Sequence, residues 1–373
     1  PRKPGMTALY LERYLNFGLT RAELQSGKPI IGIAQTGSDL SPCNRHHLDL
    51  AKRVREGITA AGGVAFEFPV HPIQETGKRP TAALDRNLAY LGLVEVLYGY
   101  PLDGVVLTTG CDKTTPACIM AAATVNIPSI VLCGGPMLNG YYKGARVGSG
   151  THLWKFSEAV KAGEMSQAEF AEAEASMSRS PGSCNTMGTA STMACIAETL
   201  GMSLPGTAAI PAVHADRLRA AEASGAHAVR LIQNPIRPSQ VITTKSVHNA
   251  LRVLLALGGS TNAIIHLTAI AGRLGIPVSL HDLNELSDTT PVLVDLKPTG
   301  DNYMEDFYAA GGMSALLREL KPLLHLDTVS VTGETLGERL AAEEGAWTDH
   351  RVVRKASEPI EPVGGLVALF GSL

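Results

Sequence analysis

Three ionisable side chains of different kinds stand side by side at Cys111, Asp112 and Lys113, inside the stretch TTGCDKTTPAC that runs from Thr108 to Cys118. A thiolate is a soft metal ligand and a carboxylate a hard one. An ammonium repels cations unless carbamylation turns the amine into an anionic oxygen ligand. The stretch follows GVVL, an apolar run that reads as a buried strand, so the three groups emerge where a strand leaves the interior. A surface turn with a chance cluster of charges is the plain reading, and a metal site is the sharper one.

Further candidates lie in similar contexts. Cys43 sits in SPCNRHH, Cys184 in SPGSCNTMGTAS and Glu75 in HPIQETGKRPTA. Thiols this far apart in the chain form no local knuckle, and no CxxC pair occurs, so spacing alone does not specify a metal. Glu75 and Asp112, on separate loops, suit a hard divalent cation such as Mg²⁺. Beside them Lys113 would contact a substrate carboxylate, become a carbamate, or form a surface salt bridge. Of the six cysteines, Cys118 and Cys195 fall in apolar helical segments and Cys133 in an apolar strand, where each reads as a small buried hydrophobe.

The elements that must position these groups alternate in kind. PIIGIAQ, GVAFEFPV, DGVVLTT and PSIVLCGG read as strands, and the segments 47–61, 86–99 and 116–125 as helices. In the first of these helices Leu48, Ala51, Val54, Ile58 and Ala61 recur on one face. The order implies parallel βαβ units and a layered α/β/α fold with a mainly parallel sheet. Open sheets of this kind bind ligands at the carboxyl ends of their strands, where Cys43, Glu75 and Cys111 all fall. The second half is more helical, with helices expected over 187–200, 212–224, 246–257 and 261–274. Charged, loop-rich sequence is expected after Gly312.

Composition narrows the class. A chain of 373 residues with 45% hydrophobic and 18% charged residues buries a large core. A net charge of -3 without basic runs argues against nucleic acid as the main partner. No apolar run is long enough to span a bilayer, and the first residues lack the apolar core of a secretory signal, so a cytoplasmic protein is expected.

Taken together, SPCNRHH, TTGCDKTTPACIMAAA and SPGSCNTMGTASTMACIAETLGM, with NALRVLLALGGSTNAIIHL and YMEDFYAAGGM, resemble the iron–sulfur dehydratases that include dihydroxy-acid and sugar-acid dehydratases. TTGCDKTTPA and HPIQETGKRPTA look more like the pentonate (arabinonate or xylonate) branch. The resemblance implies that Cys43, Cys111 and Cys184 hold a [2Fe–2S] cluster, that Glu75 and Asp112 bind Mg²⁺, and that Lys113 becomes a carbamate ligand. It implies a hydro-lyase that removes water from a sugar acid to give a 2-keto-3-deoxy acid, working as a homodimer or homotetramer.

The resemblance implies a C-terminal β-rich domain in family members, which is expected to be largely absent here. Residues 1–360 are therefore expected to form the cluster- and Mg²⁺-binding domain, and 361–373 the start of the second. The serine base and a further Mg²⁺ carboxylate are expected in that second domain, which would leave the isolated chain inactive; Ser372 lacks the serine's expected context. Dihydroxy-acid and phosphogluconate dehydratases share the metals but not the substrate. An iron–sulfur redox or sensor protein, with a fully ligated cluster and no Mg²⁺, and a zinc hydrolase using the same thiols are the readings from other classes.

Several residues have more modest readings. His46 and His47 are expected at a helix start on the surface, or in contact with substrate. Ser260 is a plausible N-cap whose helix could receive a carboxylate. Tyr303, Glu305 and Asp306 match a family motif that packing and capping would also explain. Gly134 and Gly135 form a weak phosphate-loop fragment.

Overall fold

The computed structural model describes residues 4–371. Four segments rich in branched residues form parallel strands: β1 (Ile30–Gln35), β2 (Val64–Pro69), β3 (Gly104–Thr109) and β4 (Ser129–Cys133), in the order β2-β1-β3-β4. β3 is buried along its whole length, as a central strand covered on both faces should be. The His47–Ala60 and Ala215–Gln233 helices pack on one face, and the Thr114–Val125 helix, backed by Ala83–Gly99, on the other. This is the expected α/β/α layering. The order in which strands are added to the sheet reverses between β1 and β3, the switch point at which doubly wound sheets open a crevice. The loops after these two strands carry Cys43 and Cys111.

The helices of the second half form as expected, with one extended. The helix expected to end at Ser224 runs through Gly225 to Gln233. Gly225 reads as a breaker in sequence, yet here it is a contact point: a Cβ would collide with Val54 O, and one on Gly57 with Glu222 O. The His47–Ala60 and Ala215–Gln233 helices therefore meet backbone to backbone. Arg217, fully buried on the second of them, donates to the carbonyls of Cys133, Thr207 and Ile210 and ties that helix to the end of β4. Loop-rich sequence was expected after Gly312, but Gly312–Leu320 is a helix, entered through Gly311 at φ +109°.

Residues 361–370 lie along the Leu280–Asp288 helix. Gly364 N donates to Ser287 O at 2.7 Å, Asn284 exchanges hydrogen bonds with the Ala368 backbone at 2.9 and 2.7 Å, and Phe370 stacks on His281. Ser372 lies outside the described residues. Among the described residues no helix is long and apolar enough to cross a membrane.

Candidate metal centre

Between the end of β3 and the Thr114–Val125 helix the chain turns in Gly110–Lys113. Thr114 knots this turn: its Oγ1 accepts from the backbone N–H groups of Gly110 and Cys111 at 3.2 and 3.1 Å and donates to Cys111 O at 3.0 Å. Cys111, Asp112 and Lys113 are thereby held at the helix N-terminus, where the dipole favours anionic groups. The chain cannot carry a side chain at 110, because a Cβ there would strike Asn44 and His47.

Cys43 comes from the loop after β1. Ser41 Oγ donates to Ile73 O at 2.6 Å and fastens this loop to the one after β2. Gln74 then grips Cys43 twice: its amide Nε2 donates to Sγ at 3.2 Å, and its Oε1 accepts from Cys43 N at 3.4 Å. The thiols of Cys43 and Cys111 share a hydrogen bond, and the Glu75 backbone N–H donates to the Cys111 sulfur. Donation from Cys111 pulls the Cys43 thiol down to about 7 against burial, with Gln74 adding to the effect. Cys111, the donor of the pair, is pushed up by that bond and by burial.

Cys184 arrives on the loop 178–188, which bridges to the segment after β4. Ser183 N donates to Gly135 O at 3.0 Å, and Met137 N to Ser183 O at 2.9 Å. Ser149 Oγ lies 3.7 Å from Cys184 Sγ. Burial, then the charge of Cys43 with a smaller contribution from Asp112, raises the Cys184 thiol, which lies within electrostatic reach of Cys43 and Asp112.

The oxygen donors adjoin the thiols. Lys113 Nζ lies 3.0 Å from Glu75 Oε2, with the lysine side chain 8% and the glutamate 32% exposed. The Asp112 carboxyl is raised by burial, which outweighs the Lys113 ammonium, and the Ala190 backbone N–H donates to it. The loop carrying Glu75 is held by Asp85, a buried carboxylate 3.1 Å from both His71 Nε2 and Lys78 Nζ. All six sequence candidates, Cys43, Cys111, Cys184, Glu75, Asp112 and Lys113, thus gather around the switch point.

Among the described residues, no group of three or more His, Cys, Asp or Glu side chains is arranged to hold a single metal ion. The donors instead divide into a set of soft thiols and an adjacent set of hard oxygens, joined by consecutive residues. That chemistry fits a sulfur-bridged iron cluster beside a divalent cation better than one shared ion. A hollow of about 790 Å³ lined by Tyr14, Phe17, Phe66, Phe68, Tyr100 and Leu102 flanks edge strand β2 and shares no residue with the centre.

The modest candidates come out differently. His47 is fully buried, not a surface residue: Thr36 Oγ1 donates to Thr108 O, so His47 Nδ1 must donate to Thr36 Oγ1, 2.9 Å away. His46 is partly buried, with Nε2 3.0 Å from Gly134 O. Gly134 is no phosphate loop; a Cβ there would overlap the His47 ring. Thr261, directly before the Asn262–Gly272 helix, has helical backbone angles and makes no side-chain cap, while Ser260 Oγ accepts from Asn262 N at 3.3 Å, as a capping residue does, and pairs with Thr189 Oγ1 at 2.8 Å. Tyr303 is buried, Asp306 Oδ2 accepts from its backbone N–H at 2.9 Å, and Glu305 accepts from Asn139 N at 2.8 Å. Sequence reasoning missed Gln74 and Thr114. Each adjoins a candidate, Gln74 beside Glu75 and Thr114 beside Lys113, and that adjacency was the one positional hint.

The dihydroxy-acid/6-phosphogluconate dehydratase N-terminal family matches residues 28–339. The D-xylonate dehydratase of Caulobacter vibrioides is 52% identical over 370 residues, covering 99% of this chain and 62% of the relative. The L-arabinonate dehydratase of Rhizobium leguminosarum is 51% identical, covering 94% of this chain and 61% of its own length. A dihydroxy-acid dehydratase of Caldanaerobacter subterraneus is 38% identical, covering 100% and 66%. The chain spans about three fifths of the length of the first two. With the family match running from before β1 to beyond the helix Gly312–Leu320, and the relatives aligned over nearly every residue of the chain, it belongs to the dihydroxy-acid/6-phosphogluconate dehydratase family.

Proposed function

We propose that this chain is the cluster- and Mg²⁺-binding part of a sugar-acid dehydratase acting on a pentonate in the cytoplasm, with residues 1–360 as the unit that holds both groups. The observation that carries the reading is the convergence of two donor sets on one switch point, joined by Cys111, Asp112 and Lys113. Cys43, Cys111 and Cys184 would hold a [2Fe–2S] cluster, and Glu75, Asp112 and a carbamylated Lys113 a Mg²⁺ ion. Three thiolates are one fewer than a fully cysteine-ligated cluster uses.

Eliminating water from a 2,3-dihydroxy acid meets two difficulties: hydroxide leaves poorly, and the C2 proton is weakly acidic. When bound, the two groups supply Lewis acidity at the leaving hydroxyl and at the substrate carboxylate. The chain's own residues fix where each group sits. Gln74 orients the Cys43 sulfur, the Glu75 backbone N–H holds that of Cys111, and the turn knotted by Thr114 sets the separation of the donor sets. That separation governs which carbons of the substrate react. None of these residues is assigned the base for the C2 proton. The resemblance gives that role to a serine in the C-terminal region, and it suggests a homodimer or homotetramer.

A pentonate is favoured because the xylonate and arabinonate dehydratases are 52% and 51% identical to this chain, against 38% for the dihydroxy-acid dehydratase. The test feeds xylonate, arabinonate, gluconate and dihydroxyisovalerate to anaerobically reconstituted protein extended to the length of these relatives. Formation of a 2-keto-3-deoxy acid fastest from a pentonate is expected. Preference for dihydroxyisovalerate would overturn the substrate, and no dehydration of any of the four would overturn the reaction.

A further inference from the structure

The Ala83–Gly99 helix is apolar on two sides, and the packing of the chain uses one of them. Ala89, Leu93 and Leu97 are buried on the side that meets the Thr114–Val125 helix. Away from it, Leu84, Leu88, Leu91 and Tyr98 are 74, 57, 56 and 65% exposed. With Glu95 they recur in steps of four, three, four and three residues, the spacing of a seam that packs on another helix. A helix apolar on all sides is ordinarily buried, so this seam calls for a partner.

The pattern itself says which partner. It is symmetric about Leu91: apolar Leu84 and Tyr98 stand seven residues to either side, and polar Asn87 and Glu95 four residues to either side. The polar two are a donor and an acceptor. Asn87 Oδ1 accepts from Arg86 Nε and Nη2 at 3.3 and 3.2 Å, which leaves the Nδ2 hydrogens without an acceptor among the described residues. Glu95, also exposed, has no ion-pair or hydrogen-bond partner among them. Tyr98 Oη donates to Thr124 O at 3.4 Å, which restrains the ring at one end of the seam.

We propose that this seam is a two-fold interface with a second copy of the chain, the two Ala83–Gly99 helices lying antiparallel with the axis at Leu91. Each Leu84 then meets the second copy's Tyr98, each Asn87 donates to the second copy's Glu95, and the two Leu91 side chains meet at the axis. A two-fold contact requires a patch complementary to itself, whereas a foreign partner requires no symmetry in the pattern. The polar position fixes the register, because a shifted pairing would cover Glu95 without giving it a donor. The inference rests on the homo-oligomer suggested under the proposed function and is independent of the metals.

The test is sedimentation velocity, over a range of concentrations, on the protein extended to the length of its relatives. Leu91→Arg, which sets two guanidinium groups against each other at the axis, is expected to halve the mass of the native assembly. Leu91 is more than half exposed, so the variant should keep the native melting curve. Asn87→Asp, which faces a carboxylate with the second copy's Glu95, is expected to raise the dissociation constant at least tenfold. Adding Glu95→Asn to it exchanges donor and acceptor and is expected to restore the native value. Leu91→Cys is expected to cross-link copy to copy with bismaleimidoethane, each thiol adding across one maleimide double bond. A native assembly that Leu91→Arg leaves intact, with no cross-link at position 91, overturns the surface and leaves the homo-oligomer standing; cover by the C-terminal region would give that result. Failure of the exchanged pair to restore assembly overturns the antiparallel register. A native protein that is monomeric throughout overturns the homo-oligomer, and this inference with it.

Discussion

Lys113 Nζ lies 3.0 Å from the Glu75 carboxylate, although the two residues follow strands β3 and β2, which are separated in the sheet by β1. The loops after the outer two strands therefore meet across the end of the middle one, and Cys43, from the loop after β1, is gripped between them by Gln74. A single crossing thus brings thiols and carboxylates from three loops together. In the absence of a cation, Lys113 neutralises Glu75. A carbamate there would place three anionic groups together, an arrangement that calls for a divalent ion.

Glu75→Gln leaves a nearly buried ammonium without its counter-ion. Because Glu75 is about a third exposed, solvent screens the pair, and the expected loss is about 1 kcal/mol in metal-free protein. Lys113→Met should cost a similar amount, and the double variant less than the sum of the two. Urea unfolding of all four proteins checks this, and strictly additive losses would show that the residues are not coupled.

The Cys43–Cys111 hydrogen bond makes the two thiols unequal. With its thiol down at about 7 rather than the ordinary 9.0, Cys43 becomes thiolate as pH rises through neutrality. In cluster-free protein its alkylation by iodoacetamide should climb between about pH 6 and 8 and then level off. Cys111→Ala removes the donor and should move that midpoint upward. Peptide mapping of alkylated protein follows both changes, and an unshifted midpoint in the variant would contradict the assigned cause.

Gly225→Ala places a methyl group against Val54 O, where the two long helices touch. The helices must separate or bend, at about 1–3 kcal/mol. Differential scanning calorimetry should show a drop in Tm of several degrees. Gly62→Ala, whose Cβ meets no atom, makes an unsuitable control because φ there is +87°; Gly92→Ala, in open helix surface, is expected to be neutral or slightly stabilising.

What could be read in the sequence and what could not divide along physical lines. β1, β3 and β4 were legible because strands buried on both faces are continuous apolar runs, and their carboxyl ends pointed to the loops of Cys43 and Cys111. The meeting of Glu75 with Lys113 followed only from the family resemblance, since no local spacing encodes a contact across β1. His47 looked like a surface residue because its neighbours are polar. Its burial depends on two distant glycines, Gly110 and Gly134, that leave room for the ring. Gly225 was a breaker by propensity and a packing residue by contact. Gln74 acts through Cys43, a partner far away in the chain, and a single sequence does not encode such a pairing.

The central claim is that Cys43, Cys111 and Cys184 act together on a [2Fe–2S] cluster while Cys118, Cys133 and Cys195 are core. Iron, acid-labile sulfide and zinc are measured in anaerobically purified protein and in each of the six single Cys→Ala variants. The account predicts iron and sulfide in equal amounts, lost on substitution of Cys43, Cys111 or Cys184 and retained, in the folded fraction, on substitution of the other three. Stoichiometric zinc without sulfide, or iron retained when Cys43, Cys111 or Cys184 is replaced, would contradict it.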